Sequence, residues 1–292
     1  MKHLILSPNC DYDKLYFFLK DSKFSESLIS SLRHDDNALK INGEKANMRS
    51  KICTGQKLEI TLEDKKSSSI PFNDLPLDIL FEDEDLLVVN KAAGVATIPS
   101  KRHYSDNLAG AVSKYMAGKQ PHFVFRALGR LDKDTSGIVV IAKNQYAANM
   151  VEIKKTYQAL CVGNFTEKEF NISAPIQTVC ENGINQQQRK TSLLGKAATT
   201  HVEVVKNFNG YALVKLILSQ GRTHQIRVHL SSISHPLIGD QVYGNEKSLA
   251  FLDKANRTLL HCEEATISFL DASKADIHIL APKPEDFASW LK

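Results

Sequence analysis

The rhythm of apolar and polar positions changes twice along the chain. Leu28, Ile29 and Leu32 fall on one side of a helix that Ser25 is placed to cap. Leu39-Lys40-Ile41 and Lys57-Leu58-Glu59-Ile60 read as short strands, and Asn42-Gly43 between them is a tight-turn signal. Periodicity then disappears. Glu63-Asp64-Lys65-Lys66-Ser67-Ser68-Ser69, followed by Pro71 and Pro76, has the charge, serine and proline of a linker. From Leu77 onward the pattern is mainly that of strands. Asp85 to Asn90 runs into a turn at Gly94, Ile138 to Ile141 reads as a buried strand, and Thr156 to Val162 alternates up to Gly163. His201–Val205 and Ala212–Leu218 flank Asn207-Phe208-Asn209-Gly210 as a hairpin, and Leu259–Phe269 forms another strand region. Two helices are predicted: one capped by Ser105 through Leu108, Val112 and Tyr115, and one after Gly221 carrying Ile226, Leu230 and Ile233. Many strands with few helices predict an α+β chain built on a mixed, largely antiparallel sheet. The division is a small α+β unit over 1–62, a linker over 63–76 and a larger domain over 77–292.

Composition narrows the class only a little. A chain of 292 residues suits two unequal domains. No apolar run reaches the roughly 18 residues of a membrane span. The start, Met1-Lys2-His3-Leu4 leading to Ser7-Pro8-Asn9, does not read as a secretory signal, so a cytoplasmic protein is expected, working as a monomer. The five cysteines are scattered without C-x-x-C spacing, which suggests neither a zinc site nor a disulfide framework. The net charge of +4 permits a nucleic-acid partner without requiring one. Between Lys23 and Lys57 seven Lys/Arg stand against four acids; Lys40, Lys45 and Arg49 are the candidates for a phosphate-gripping patch.

Four segments carry candidate chemistry. Gly129-Arg130-Leu131-Asp132-Lys133-Asp134-Thr135-Ser136-Gly137 is a charged turn feeding a hydrophobic strand, a common way to hold a reactive side chain on a rigid base. Gly221-Arg222-Thr223-His224-Gln225-Ile226-Arg227-Val228-His229 crowds arginines and histidines onto one short helix. There Arg227, between Ile226 and Val228, is partly covered and calls for a carboxylate partner. His224 and His229 are five apart, which does not set them on one face as metal ligands. Tyr157 lies mid-strand, where packing is the ordinary role. Ser234-His235-Pro236-Leu237-Ile238-Gly239-Asp240-Gln241-Val242-Tyr243-Gly244 is a compact glycine-proline loop.

In this order, Gly129 to Lys143, Lys155 to Gly163 and Gly221 to Gly244 resemble the signature segments of the RluA family of pseudouridine synthases. Val89-Asn90-Lys91-Ala92-Ala93-Gly94 resembles the family's first strand, with Ala92 where a proline is usual. Leu260-His261 and Ala281-Pro282-Lys283-Pro284 fit its C-terminal pattern. The resemblance covers about residues 77–287. Residues 25–62 resemble, more faintly, the small RNA-binding domain shared with ribosomal protein S-four. One departure is Gly129, where the family usually has a histidine; it bears on substrate fit more than on the chemistry.

The resemblance implies isomerisation of uridine to pseudouridine in ribosomal or transfer RNA, with no cofactor and no metal. Asp132 corresponds to the family's catalytic aspartate, acting either on carbon 1′ or on the proton of carbon 2′. Arg227 corresponds to the arginine that keeps it ionised. Tyr157 corresponds to the tyrosine that packs on the uracil and takes the carbon 5 proton. Arg130 corresponds to the arginine that helps extrude the nucleotide. Arg222, His224 and Gln225 are expected to contact RNA. Two other readings stand beside this one: an inactive RNA-binding adaptor, and a magnesium-dependent aspartate-nucleophile phosphatase suggested by Asp132-Lys133-Asp134-Thr135.

Overall fold

The computed structural model describes residues 2–292 except 65–69, 101–102, 121, 182–183, 252 and 272–273. The first unit consists of β1 (Lys2–Leu6), α1 (Leu15–Asp21), α2 (Glu26–Arg33), β2 (Leu39–Ile41), β3 (Glu44–Lys45) and β4 (Leu58–Leu62). Its strands form one antiparallel sheet in the order β1-β4-β2-β3. Ser25 caps α2, its Oγ accepting the Leu28 amide at 3.2 Å, and Leu28, Ile29 and Leu32 turn inward as the spacing predicts. Helix α1 buries Leu15, Phe18 and Leu19 in the same core as Leu28, Ile29 and Leu32.

The second unit follows as β5 (Ile79–Glu82), β6 (Leu86–Lys91), α3 (Leu108–Ala117), β7 (Ser136–Ala142), α4 (Gln145–Met150), β8 (Val151–Val162), β9 (Glu169–Ser173), β10 (Ile176–Glu181), β11 (Ile184–Thr191), β12 (Thr199–Asn207), β13 (Tyr211–Leu218), α5 (Gln225–Ser232), α6 (Glu246–Leu249), β14 (Leu260–Phe269), β15 (Ile277–Leu280) and α7 (Glu285–Ala288). Its main sheet runs β5-β6-β7-β14-β8-β13-β12-β9, with β15 paired to β14; β10 and β11 form a separate hairpin. All its strand pairs are antiparallel except β7 with β14, so the α+β, largely antiparallel class holds. All seven residues of β7 are buried, making it the floor on which the preceding turn rests. The parallel pair needs Gly137 at φ +109°: a Cβ there would stand 2.1 Å from the Cys262 carbonyl oxygen.

Two sequence expectations are corrected. Helix α3 is capped by Asn107, whose Oδ1 accepts the Gly110 amide at 3.0 Å, and not by Ser105. The linker expected over 63–76 lies at 65–69 outside the described residues, but Asp64 is buried in packed structure. It accepts from Arg126 at 2.9 Å and Gln145 at 3.0 Å. Asp64 is therefore part of a seam between the two units. Lys2 reaches Asp85 at 2.8 Å, the Ser25 amide donates to Asn149 Oδ1 at 2.9 Å, and Phe24 meets the Tyr146 ring at 6.2 Å between centroids.

Candidate active site

The turn before β7 is fixed by its backbone. Thr97 Oγ donates to the Leu131 carbonyl at 2.7 Å and accepts the Leu131 amide at 3.2 Å. The Asp132 carbonyl accepts from the Thr135 amide at 3.1 Å. The Lys133 carbonyl accepts from the Gly94 amide at 2.9 Å and the Lys91 ammonium at 3.0 Å, and the Asp134 carbonyl accepts from Arg257 Nη1 at 3.1 Å. Four consecutive carbonyls are thus satisfied from three parts of the chain, residues 91–97, Thr135 in the turn itself and Arg257, leaving the Asp132 side chain free to face outward. Lys91 is buried and also donates to the carbonyls of Ala92 and Val95 at 2.9 and 2.8 Å. Burial pulls its pKa down to about 7, opposed by the charges of Asp134 and Asp132. The three carbonyls favour the ammonium, which alone has three hydrogens to give them.

Asp132 opens onto a pocket shared with Arg130, Leu131, Tyr157, Arg222, His224 and Arg227. Tyr157 is delivered by β8, two strands from β7, and Arg227 by α5. Arg227 Nη1 lies 3.6 Å from Asp132 Oδ2, and His224 Nε2 lies 3.8 Å from the same atom. Burial raises the Tyr157 pKa well above its ordinary value, helped by Cys262 and Asp132, so the phenol is protonated at neutral pH. Arg130 is exposed at the pocket mouth, and a groove runs on from there between residues 96–100 and 221–224, past Lys133 and Arg222.

The carboxylate partner that Arg227 requires is mainly Asp240, not Asp132. Arg227 Nε and Nη2 donate to the two oxygens of Asp240 at 2.7 and 2.8 Å, and Asp240 Oδ1 also accepts the amides of Val242 and Tyr243. The Arg227 guanidinium lies 5.0 Å from the Tyr243 ring centre. The Ser234–Gly244 loop was visible in the sequence as a compact turn, but nothing local in it announces the pairing. Gln225 is also reassigned: it is buried, its Oε1 accepts the Arg222 amide, and its Nε2 donates to Thr199 and Thr200. Its amide braces the base of α5 and has no group left for RNA. Arg222 remains exposed, its Nε donating to the Ala197 carbonyl. His229 is a structural histidine, bonded to Thr200 and the Ala174 carbonyl.

The N-terminal candidates stand apart from this pocket. Lys40 and Lys45 face each other across the β2–β3 hairpin, and Arg49 lines a cleft with Lys14, Tyr16, Phe17 and Arg33. Gly129 has φ +88°, a left-handed backbone that suits glycine, and its absent side chain would point at the Lys155 ammonium, 3.7 Å away.

The sequence pattern of the family described as RNA pseudouridylate synthase matches residues 85–232, the stretch that holds the Asp132 turn, Tyr157 and Arg227. The chain belongs to that family. The synthase is 31% identical over 277 residues to the uncharacterized RNA pseudouridine synthase YjbO of Bacillus subtilis, covering 92% of this chain and 94% of that one. It is 31% identical over 243 residues to ribosomal large subunit pseudouridine synthase D of Yersinia pestis, covering 77% and 74%. Among solved structures, human RNA pseudouridylate synthase domain containing 1 superposes with a TM-score of 0.55 at 26% identity, covering 75% of the synthase and 86% of the human chain. The synthase is accordingly an RNA-acting enzyme that isomerises uridine to pseudouridine.

Proposed function

We propose that Asp132 is the reacting carboxylate, and that the target is a uridine of structured ribosomal or transfer RNA, modified in the cytoplasm by a single copy of the chain. The observation that carries this is the convergence of Asp132, Tyr157 and Arg227, from three separate segments, on one pocket. The isomerisation breaks the C1′–N1 bond, forms C1′–C5, and moves one proton from C5 to N1. It balances without oxidant, water or metal. Asp132 either attacks C1′ or takes the C2′ proton and returns it. Arg227, clamped by Asp240, presents its remaining edge to Asp132. The Tyr157 ring packs on the uracil. Because its hydroxyl is protonated, it takes the C5 proton only after giving its own to N1 of the turned base, the atom the reaction leaves protonated. Arg130 at the mouth displaces the neighbouring stack as the uridine turns out. Arg222 and Lys133 line the path of the flanking backbone. Lys40, Lys45 and Arg49, on a unit resembling the S-four RNA-binding domain, add phosphate contacts.

Loss of the C5 hydrogen gives a direct assay: tritium release from RNA whose uridines are tritiated at carbon 5. Asp132→Asn is isosteric, and is expected to fold, bind RNA and release no tritium above background. Release beyond a few per cent of the wild-type rate would remove Asp132 from its role.

A further inference from the structure

We propose that His224, oriented by Tyr243, is a positioning residue for Asp132: together with Arg227 it holds the Oδ2 oxygen, and so leaves Oδ1 as the oxygen that meets the ribose. The proposal rests on Asp132 being the reacting carboxylate. Nε2 of His224 and Nη1 of Arg227 stand 3.8 and 3.6 Å from the same oxygen atom, approaching it from the α5 side of the pocket. Both distances are open by less than 1 Å relative to a formed bond, as is common before substrate tightens a site.

The proton on the ring can be placed. The Tyr243 hydroxyl accepts the Arg189 amide at 2.9 Å and lies 2.8 Å from His224 Nδ1. In this arrangement the Tyr243 O–H donates to Nδ1, which puts the ring proton on Nε2 and turns Nε2–H toward Asp132. The groups facing His224 are Asp132 from the turn, Arg227 from α5, Arg189 from β11, and Asp240 and Tyr243 from the loop before α6. Burial lowers the pKa of the ring, which keeps it neutral and fixes it as a donor through that single hydrogen.

The backbone supplies a second, independent observation. His224 has φ 58° and ψ 19°, left-handed values unusual for a residue with a side chain. It also occupies the N-cap position of α5, yet makes no capping bond there. Glycine would sit here more easily, and asparagine would both tolerate the backbone and cap the helix. The strained conformation instead aims an imidazole at the catalytic carboxylate. If Oδ1 attacks C1′, the C1′–N1 pair departs with the uracil and Oδ2 becomes the ester carbonyl, still held by two donors. If Oδ1 takes the C2′ proton, the same donors hold the opposite oxygen of the carboxylic acid. No proton leaves His224 in either case.

The test uses the full chain and total RNA from cells lacking this protein, grown on uridine tritiated at carbon 5. Tritium release at saturating enzyme gives the rate, and filter retention gives the RNA Kd. His224→Gln is expected to lose about tenfold to a hundredfold in rate with Kd within about twofold of wild type. Tyr243→Phe is expected to fall in the same direction by less, and the double variant to be no slower than His224→Gln alone. His224→Asn controls for the backbone; a wild-type melting temperature with a rate as low as that of His224→Gln supports the proposal. A wild-type rate for His224→Gln, a loss confined to Kd, or additive losses in the pair would overturn it. Activity in Asp132→Asn would instead remove the reading beneath it.

Discussion

At Arg227 the distances separate two partners. Asp240 takes a bidentate grip at 2.7 and 2.8 Å and is buried, whereas Asp132 is met once, at 3.6 Å, and is open to the pocket. Removing one partner of a buried pair leaves an uncompensated charge and costs about 3–5 kcal/mol. Asp240→Ala is therefore expected to lose that much in urea unfolding, and Asp132→Ala far less. In a double-mutant cycle, Arg227 and Asp240 should couple by about 1–3 kcal/mol, with Arg227 and Asp132 weaker. Equal small losses for the two aspartates would refute this division. Asp132, Tyr157 and Arg227 were legible in the sequence because each lies in a short segment that resembles its family. Asp240 was not, because its role exists only once the loop after α5 folds back on the helix.

Among elements, legibility followed patterning. Strands β6, β7, β8, β13 and β14 carry long apolar or alternating runs and were visible. Strands β1, β9 and β15 are four or five residues long and sit at sheet margins, where half-exposed faces blur the alternation. Helix α1 is hidden in the sequence for a different reason: Leu15-Tyr16-Phe17-Phe18-Leu19 is apolar or aromatic throughout, and Lys14 gives it no side-chain cap. The margin at β5 is tied down electrostatically. Glu82 accepts from the Tyr115 hydroxyl at 2.7 Å, Lys119 at 3.0 Å and Lys143 at 3.0 Å. Burial alone would raise its pKa; these three donors outweigh that and draw it down to about 2. A depressed carboxylate stabilises the fold above its unfolded value near 4.5, and the benefit is lost as pH falls toward 2. Wild type is expected to lose at most about 3 kcal/mol more than Glu82→Gln between pH 5 and pH 2, measured by urea unfolding. Parallel acid profiles would show that Glu82 is not the group titrating.

For the whole molecule, the seam between the two units sets what truncation should do. Removing residues 1–62 takes away Lys2, Phe24 and Ser25, and exposes Tyr146 and Asn149 on α4. The shortened protein is expected to melt several degrees lower but still release tritium at high RNA concentration, because the residues around Asp132 all lie beyond position 77. Each lost phosphate contact should flatten the salt dependence of RNA affinity by about 0.7 for single strands. An unchanged slope would mean that Lys40, Lys45 and Arg49 only face water. The placement of β14 has a further consequence. This strand pairs with β7 and β8 on either side, yet follows β8 by about a hundred residues in the chain. At ribosomal elongation rates of about 5–20 residues per second, β7 and β8 emerge roughly 5–20 s before the strand that joins them. During that interval two apolar strand edges lie open on the nascent chain, a binding site for chaperones and for other unfinished copies. Slowed translation between codons 162 and 260 should therefore lower the soluble yield of the protein without altering its folded stability.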